Sequence, residues 1–413
     1  MDAPATARLE GRLSTDHSTQ RRQPGPLAML GILSTGHLLN DLYSNFLPQL
    51  LPSLLVLIPG FTATQAALLV ASFNIASSLF QPIFGFMVDG RGHSWLIYVG
   101  TLWMSIFLSM TGLVHSYFSL VALAVVAGLG TAAFHPPASA LVHGLHPRHK
   151  AVFQSAFVAS GNFGFALAPL ILVPLFQAYS LKATLFLLIP GVLAATVLFL
   201  ALPRQRRMVE DAATFSQVWA SIRKAGREMG VILGVICVRQ AGYTGLLALL
   251  PLYFHSRDVS TIVSSRMMTL MLFTGAFGGI AGGFISDRWG RRLLIATSLM
   301  LATPLFFGFL FAQGTLSLVF LALAGAALMS SFSVTTVAAQ EAIPEHKAMA
   351  AGLTFGFSSG LGAIAVIFIG RLADAWGLQS AVMLLVSLPF VAGLFALFLR
   401  SNKPSIAARG GRW

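Results

Sequence analysis

A long apolar segment in the second half of the chain ends in the sequence Gly283-Phe284-Ile285-Ser286-Asp287-Arg288-Trp289-Gly290-Arg291-Arg292. The first half holds a counterpart at the end of its second apolar segment, Gly85-Phe86-Met87-Val88-Asp89-Gly90-Arg91-Gly92-His93. A third copy, Gly370-Arg371-Leu372-Ala373-Asp374-Ala375-Trp376-Gly377, follows the 283–292 copy by three apolar segments. An odd number of crossings places these last two copies on opposite faces of a membrane. The pattern predicts two similar halves, with inverted three-segment units inside a half.

The composition is typical of a membrane protein. The chain has 413 residues, of which 56% are hydrophobic and 9% are charged, whereas about 25% of the residues in soluble domains are charged. These proportions exclude a disordered chain and disfavour a soluble domain. A membrane-spanning helix needs about 20 mostly apolar residues, so the hydrophobic content suffices for roughly a dozen spans. The predicted fold class is an all-α integral membrane protein.

Polar residues, glycines and prolines divide the apolar sequence into twelve candidate helices. In the first half they are 27–58, 63–88, 94–114, 117–145, 149–179 and 181–202. In the second half they are 229–254, 261–286, 291–312, 315–342, 347–374 and 377–400. The predicted domains are a tail at 1–26, a six-helix bundle at 27–202, a linker at 203–228, a second six-helix bundle at 229–400 and a tail at 401–413.

The basic residues indicate which side of the membrane faces the cytoplasm. Of the 26 Lys and Arg residues, 21 fall on the side of the termini, Arg239 and Arg266 lie within helices, and the other three are Lys182, Arg257 and Arg371. Because short cytoplasmic loops are enriched in Lys and Arg, both tails and the linker are predicted to be cytoplasmic. This distribution explains most of the net charge of +13 without a nucleic-acid partner. A compact chain with one cysteine and no secretory signal fits a bacterial inner membrane.

Catalytic and metal-binding patterns are missing from the sequence. We find no cluster with metal-ligand spacing, no nucleophile beside a base and no phosphate-binding loop, so an enzyme is not expected. His143, His146 and His149 are interpreted as a solvated basic loop beside Pro147. Cys237 has no partner for a disulfide and is interpreted as a small core residue. No cofactor and no metal are expected.

Asp41 is the acidic residue that lies deep within a candidate helix. It is about 14 residues into the first helix, or roughly 21 Å at 1.5 Å per residue, which is near the middle of a membrane. His37 precedes it by four residues, so the two side chains share one helix face. Such a pair can hold or relay a proton, which makes both residues candidates for proton coupling. The alternative is a satisfied polar contact between helices.

Arg239 and Gln240 lie about one-third of the way into the seventh helix, which corresponds to the first helix in a two-half scheme. A fixed cation there suits an anionic substrate, or it could keep Asp41 charged between transport cycles. The alternative is snorkelling of Arg239 to the cytoplasmic surface, about 15 Å away. Tyr243, one turn further along, joins the predicted substrate-binding set.

Other polar residues extend this candidate substrate site. His135 precedes Pro136 and Pro137, which are expected to interrupt and kink the fourth helix, as cavity-lining helices in transporters often are. For His135 itself there are two interpretations: it contacts substrate or a proton, or it has no such role and the segment is only a kink. The remaining candidates are expected either to line a cavity or to bridge helices, and they are Asn74, Gln81 and Asn162.

The repeated loop sequence resembles the signature G-x-x-x-D-[RK]-x-G-[RK]-[RK] of the major facilitator superfamily, which residues 283–292 match fully. The 85–93 copy departs from it at Gly90 and His93. The resemblance implies a gate in which Asp pairs with Arg across the cytoplasmic gap and separates as two bundles rock; a plain loop turn is the alternative. The predicted gating residues are Gly85, Asp89, Arg91, Gly283, Asp287, Arg288, Gly290, Arg291 and Arg292.

Several segments resemble one branch of that superfamily, the fosmidomycin-resistance transporters. They are residues 36–41, 76–82, 134–136, 161–164 and 340–344, whereas Pro137 stands where that branch commonly has an acidic residue. Residues 161–169 also partly resemble the superfamily's antiporter motif, with Ala168 in place of a glycine.

This resemblance implies a monomer in the lipid bilayer that exports a drug or metabolite in exchange for protons, with the proton gradient as its energy source. Import of a small organic anion together with protons is the alternative, and a channel is disfavoured.

Overall fold

The computed structural model describes residues 24–57, 63–91, 94–114, 116–202 and 214–400. Most of the predicted tails and the first part of the predicted linker, at 1–23, 401–413 and 203–213, therefore lie outside the described residues. Within the described ranges the chain is helical and forms no strand, as the predicted fold class requires.

The helices follow one another with short connections. Those of the first half are α1 (Pro26–Ser44), α2 (Phe46–Leu57), α3 (Ala63–Arg91), α4 (Trp95–Ser109), α5 (Tyr117–Leu145), α6 (Lys150–Tyr179) and α7 (Leu188–Ala201). Those of the second half are α8 (Phe215–Lys224), α9 (Gly226–His255), α10 (Thr261–Trp289), α11 (Arg291–Phe311), α12 (Gly314–Met329), α13 (Phe332–Ala342), α14 (Lys347–Trp376) and α15 (Leu378–Ala396). Two 3₁₀ segments, Met110–Leu113 and Ser180–Leu187, extend α4 and precede α7.

Ten helical segments in the described part of the chain are long and apolar enough to cross a membrane. The other two predicted spans are also helical, since they correspond to α1 with α2 and to α14. Large apolar side chains cover the outside of the bundle, as lipid contact requires; examples are Phe118, Phe368 and Leu193, which are 83%, 65% and 61% exposed.

The helices are interrupted at positions other than the one predicted. The fourth helix runs through Pro136 and Pro137 without a break, so the expected interruption there is wrong. The first predicted span instead divides at Asn45, and the tenth divides at Ser330 and Ser331.

The linker also contains a helix that was not predicted. Its first turn is stabilised by a capping box, in which Thr214 and Gln217 each bond the other's backbone N–H.

Each half has its own apolar core. One buried cluster fills the second half, around Leu299, Phe306 and Val334, and two clusters fill the first half, around Phe46 and around Phe157. The halves meet mainly where α3 packs against α14 and α6 packs against α10. We call the end of the bundle where α3 and α10 finish and α6 and α14 begin the motif face.

Candidate functional site

A cavity of about 430 Å³ lies between the two halves and takes its wall from both. Its wall includes every residue that the sequence suggested for proton coupling or substrate binding: His37, Asp41, Asn74, Gln81, His135, Asn162, Arg239, Gln240 and Tyr243. The structure thus brings the nine side chains together, while their roles stay predictions. Aromatic residues and hydroxyl groups of the same wall carry no signal in the sequence, because such residues are common throughout membrane helices. Among them are Phe73, Phe332, Phe355, Thr335 and Ser358.

Asp41 lies between two histidines on the first-half wall of the cavity. Its Oδ2 is 3.3 Å from Nε2 of His37, one helical turn earlier, and its Oδ1 is 3.5 Å from Nε2 of His135 in α5. Both histidine residues are buried and are 3% and 8% exposed. The sequence suggested the first contact through its four-residue spacing, whereas the second depends on how α1 packs against α5.

The hydrogen bond of His37 on its other side fixes the position of one proton. Nδ1 of His37 lies 2.6 Å from the backbone oxygen of Phe157. Because a carbonyl oxygen only accepts, Nδ1 carries a hydrogen, and in a neutral ring Nε2 then has only a lone pair. A lone pair and a carboxylate oxygen repel each other at 3.3 Å, so this geometry is favourable when a proton lies between His37 and Asp41. This geometry supports the prediction that the pair holds a proton.

The residues around this pair leave it little freedom. The ring of His37 stacks on Phe157 with 4.0 Å between the ring centres. Gly161 of α6 faces both polar side chains, and a methyl group at this position would lie within 3 Å of the His37 ring and would overlap Asp41. The small residue in α6 therefore lets α1 bring its two polar side chains against the neighbouring helix.

Arg239 lies on the second-half wall and is 2% exposed. One guanidinium nitrogen donates to the hydroxyl groups of Ser331 and Thr335, at 3.3 and 3.1 Å. The carbon of the guanidinium group lies 3.8 Å from the centre of the Phe332 ring. The break between α12 and α13 supplies Ser331, so the interruption of that helix helps to position the arginine.

Arg239 makes no ion pair with any carboxylate in the described ranges, and its Nε is buried without a hydrogen-bond partner there. Snorkelling to the surface is excluded by this burial, and Asp41 pairs with histidines instead of Arg239. Burial of an unpaired guanidinium group is costly unless an anion compensates it. Two nearby side-chain oxygens, those of Gln81 and Gln240, are also buried without partners among the described residues.

At the motif face, Asp89 of α3 connects the two halves. Its carboxylate accepts hydrogen bonds from the backbone nitrogens of Ala348 and Met349, at 3.0 and 2.6 Å. These amides form the first turn of α14, where unpaired N–H groups and the helix dipole favour an anion. Gly85 allows the approach, since a methyl group there would lie within 3 Å of the α14 backbone.

Asp287 of α10 makes the equivalent contact in the opposite direction. It accepts from the backbone nitrogens of Ala151 and Val152, at 3.0 and 3.1 Å, in the first turn of α6. Gly283 lies against the backbone of Ala151 in the same way that Gly85 lies against α14. Each half therefore caps a helix of the other half. We call these two contacts the latches.

The predicted Asp–Arg pair is present, but it does not cross the gap. Arg291 binds Asp287 at 2.8 Å and Glu341 at 2.9 Å, and all three residues belong to the second half. Among the described residues, the ion pair between the halves is formed by Lys150 and Glu341, at 3.7 Å. Glu341 was not singled out as a site residue, although it lies in the 340–344 segment that carried the family resemblance.

The remaining predicted gating residues have simpler positions. Gly290 ends α10 with a φ of 102°, which favours glycine. Arg288 is exposed, and Arg292 borders a second cavity at the motif face. Arg91 ends α3, and its side chain lies outside the part of the chain that the structure describes.

Between the cavity and the motif face, a buried polar network joins the halves. Nδ1 of His143 donates to the side-chain oxygen of Gln340 at 2.8 Å, and Nε2 of Gln340 donates to Ser139 at 3.1 Å. His143 is only 2% exposed, so its interpretation as part of a solvated loop is wrong. The fold turns this histidine toward α13, which a linear sequence does not indicate.

Comparison with protein families places the whole arrangement in a known group. The model of the Major Facilitator Superfamily matches residues 33–366. The chain is 29% identical over 395 residues to YfnC of Bacillus subtilis, an uncharacterized transporter of this type, with 91% of this chain and 93% of YfnC covered. It is 26% identical over 382 residues to the fosmidomycin resistance protein of Escherichia coli, again with 91% and 93% covered.

Solved structures share the fold. The Escherichia coli fucose:proton symporter FucP aligns with a TM-score of 0.73 at 14% identity, covering 91% of this chain and 99% of FucP. The human organic anion transporter TETRAN aligns with a TM-score of 0.72 at 17% identity, covering 91% of this chain and all of the other. Identities this low show a common fold and nothing about cargo.

Proposed function

Since this chain belongs to the major facilitator superfamily, whose members are membrane transporters and not enzymes, we propose that it exports a small organic anion in exchange for protons. The observation that carries the proposal is that one cavity has a different kind of polar group on each of its two opposite walls. A His–Asp pair built to hold a proton faces a buried arginine that has no carboxylate partner among the described residues. The similarity to a fosmidomycin resistance protein supports an anionic drug or metabolite as cargo.

The cycle follows from the two charged walls. With the latches closed, the His37–Asp41 pair loads a proton from the side opposite the motif face. Opening of the latches lets an anion from the cytoplasm reach Arg239 as the proton leaves. The anion compensates the buried guanidinium group, which favours closure of the motif face around the cargo. Both termini are cytoplasmic in this scheme, and the membrane is a bacterial inner membrane.

The exchange is tested with purified protein in proteoliposomes that have an acidic interior and a pH-sensitive dye. Fosmidomycin and a panel of carboxylates and phosphonates are added outside. We expect anion-dependent loss of internal protons, because anion uptake by antiport releases them. Asp41→Asn is expected to abolish the response, whereas Asp258→Asn, which changes an exposed acidic residue, should retain it.

The alternative, import of an anion together with protons, gives the opposite sign in a matched assay. With an acidic exterior, symport would accumulate a labelled anion inside the vesicles, whereas antiport would not. Accumulation of this kind would overturn the exporter proposal, as would identical proton release from the wild-type and Asp41→Asn proteins.

A further inference from the structure

We propose that His37, Asp41 and His135 form a binding site for a divalent transition-metal ion of the zinc class, open to the central cavity. The three side chains come from two helices, and their donor atoms all lie within 4.8 Å of one another. No metal is expected from the sequence, in which His135 is remote from the other two residues.

Two of the separations between donor atoms are close to what a small metal ion requires. Zinc bonds to histidine nitrogen and carboxylate oxygen are about 2.0–2.1 Å long, so two ligands of a tetrahedral ion are about 3.3–3.4 Å apart. Nε2 of His37 is 3.3 Å from Oδ2 of Asp41, Nε2 of His135 is 3.5 Å from Oδ1 of the same carboxylate, and the three donor atoms lie within 4.8 Å of one another. The side chains therefore need only small adjustments to share one ion.

His37 is already oriented as a metal ligand. Metal-binding histidines usually donate their second ring N–H to a carbonyl or carboxylate, which fixes the tautomer and directs the other nitrogen at the ion. The backbone oxygen of Phe157 serves this purpose at 2.6 Å, and the stacked Phe157 ring holds the imidazole plane. The lone pair of Nε2 consequently points toward Asp41.

The donor set selects the class of metal. Two imidazoles and one carboxylate suit zinc, cobalt or nickel, whereas magnesium and calcium require more oxygen ligands than these three residues offer. Three protein ligands leave a fourth position for a solvent or substrate atom. That position opens to the cavity, because His37, Asp41 and His135 all belong to its wall.

The expected effect of zinc on transport rests on the proposed function, whereas the binding of zinc to the three side chains does not. A metal ion and the coupling proton would compete for the same pair, His37 Nε2 and Asp41. Zinc would therefore inhibit proton exchange, and its fourth position would accept a phosphonate or carboxylate oxygen of an anion in the cavity.

The test measures metal binding on the purified full-length protein in detergent, after removal of any affinity tag and treatment with a chelator. Zinc binding is followed by calorimetry, and Co²⁺ binding by its visible absorption, which reports a tetrahedral nitrogen and oxygen environment. We expect one zinc per chain and a tetrahedral cobalt spectrum, with no response to Mg²⁺. Because these measurements involve no transport, a failed exchange assay would not affect their outcome.

Three variants and one control decide the location of the site. His37→Gln, Asp41→Asn and His135→Gln should each weaken zinc binding by at least about 10- to 100-fold, the usual cost of losing even an outer partner of a ligand. His149→Gln, which alters the histidine pair at the motif face, should bind as the wild type does. Melting curves establish that each variant is folded. Unchanged zinc affinity in folded Asp41→Asn and His135→Gln proteins, or loss of binding in His149→Gln, would overturn the proposal.

Discussion

Asp41 has two imidazole neighbours, and among the described residues the ring of His37 has polar partners on both sides whereas the ring of His135 has one. His37 is fixed by the carbonyl of Phe157 on one side and by the carboxylate on the other. His135 contacts the carboxylate through Nε2, while its Nδ1 is buried without a partner in the described ranges. His37 is therefore the better candidate for sharing the proton, and His135 is the one that can turn toward cargo.

Gly161→Ala tests whether the close packing around this pair matters. The new methyl group would overlap Asp41 and crowd His37, and overpacking of this kind costs about 1–3 kcal/mol. We expect proton exchange to fall at least about tenfold, together with a lower melting temperature. Gly31→Ala is the matched control, because a methyl group there meets nothing within 4 Å. Normal exchange by Gly161→Ala would show that the pair tolerates displacement.

Arg239→Lys tests the anion site separately from the proton site. Lysine keeps the positive charge but loses the planar group that binds two hydroxyls and lies over Phe332. Charge-assisted hydrogen bonds contribute about 1.5–3 kcal/mol, so the KM for an anionic cargo should rise on the order of 10- to 100-fold. Arg266→Lys, an exposed position, should leave KM unchanged. An equal KM in Arg239→Lys would remove this residue from cargo recognition.

At the scale of helices, the pattern of apolar segments was sufficient to place most elements. The predicted 117–145 helix coincides with α5, and the predicted 291–312 helix ends one residue beyond α11. The positions of helix breaks are harder to predict from the sequence, because proline is the residue expected to cause a break. They occur instead at Asn45, whose side chain donates to the backbone of Phe165, and at Ser330–Ser331, beside Arg239. Residues at both breaks contact other helices, and the local sequence does not show such contacts.

Asp89→Asn tests the latch between α3 and the start of α14. A negative charge at a helix N-terminus contributes about 0.3–1 kcal/mol, and up to 2 kcal/mol when partly buried. We expect the population with an open motif face to rise about 2- to 30-fold. Spin labels on Arg148→Cys and Glu345→Cys, in a Cys237→Ser background, report the distance between the halves. The same labels with Asp258→Asn should show the wild-type distribution of distances. An open population that rises in Asp258→Asn and not in Asp89→Asn would contradict the latch.

The whole molecule consists of two bundles, each with most of its apolar core inside one half, and their contact at the motif face includes glycines, backbone amides and polar side chains. Gly85, Gly283 and Gly352 each lie against the backbone of the other half. The polar network of His143 and Gln340 continues the contact toward the cavity. The halves can therefore separate at the motif face while each core stays intact. The sequence predicted the two halves through its repeats, but a repeat does not show which backbone groups meet.

The two latches give a prediction about how the halves move. If the bundles rock as rigid bodies, both latches open in the same step, and each contributes independently to the closed state. The free-energy changes of Asp89→Asn and Asp287→Asn should then add in the double variant, within about 0.5 kcal/mol. The spin-label populations described above provide the measurement.

A double variant with no more open population than one single variant would mean that one latch opens alone. Arg291→Gln serves as the comparison for Asp287→Asn, because it removes the ion pair within the second half while the carboxylate contact with α6 remains.

The receiving side of each latch consists of main-chain N–H groups, which almost every amino acid supplies. The side chains at two of these donor positions are nevertheless constrained, because Ala151 and Ala348 are fully buried where Gly283 and Gly85 lie against their backbone. Proline is the exception among the amino acids, since it lacks the hydrogen but is tolerated in the first turn of a helix. Substitution of Met349 by proline would remove the donor of the shortest latch bond.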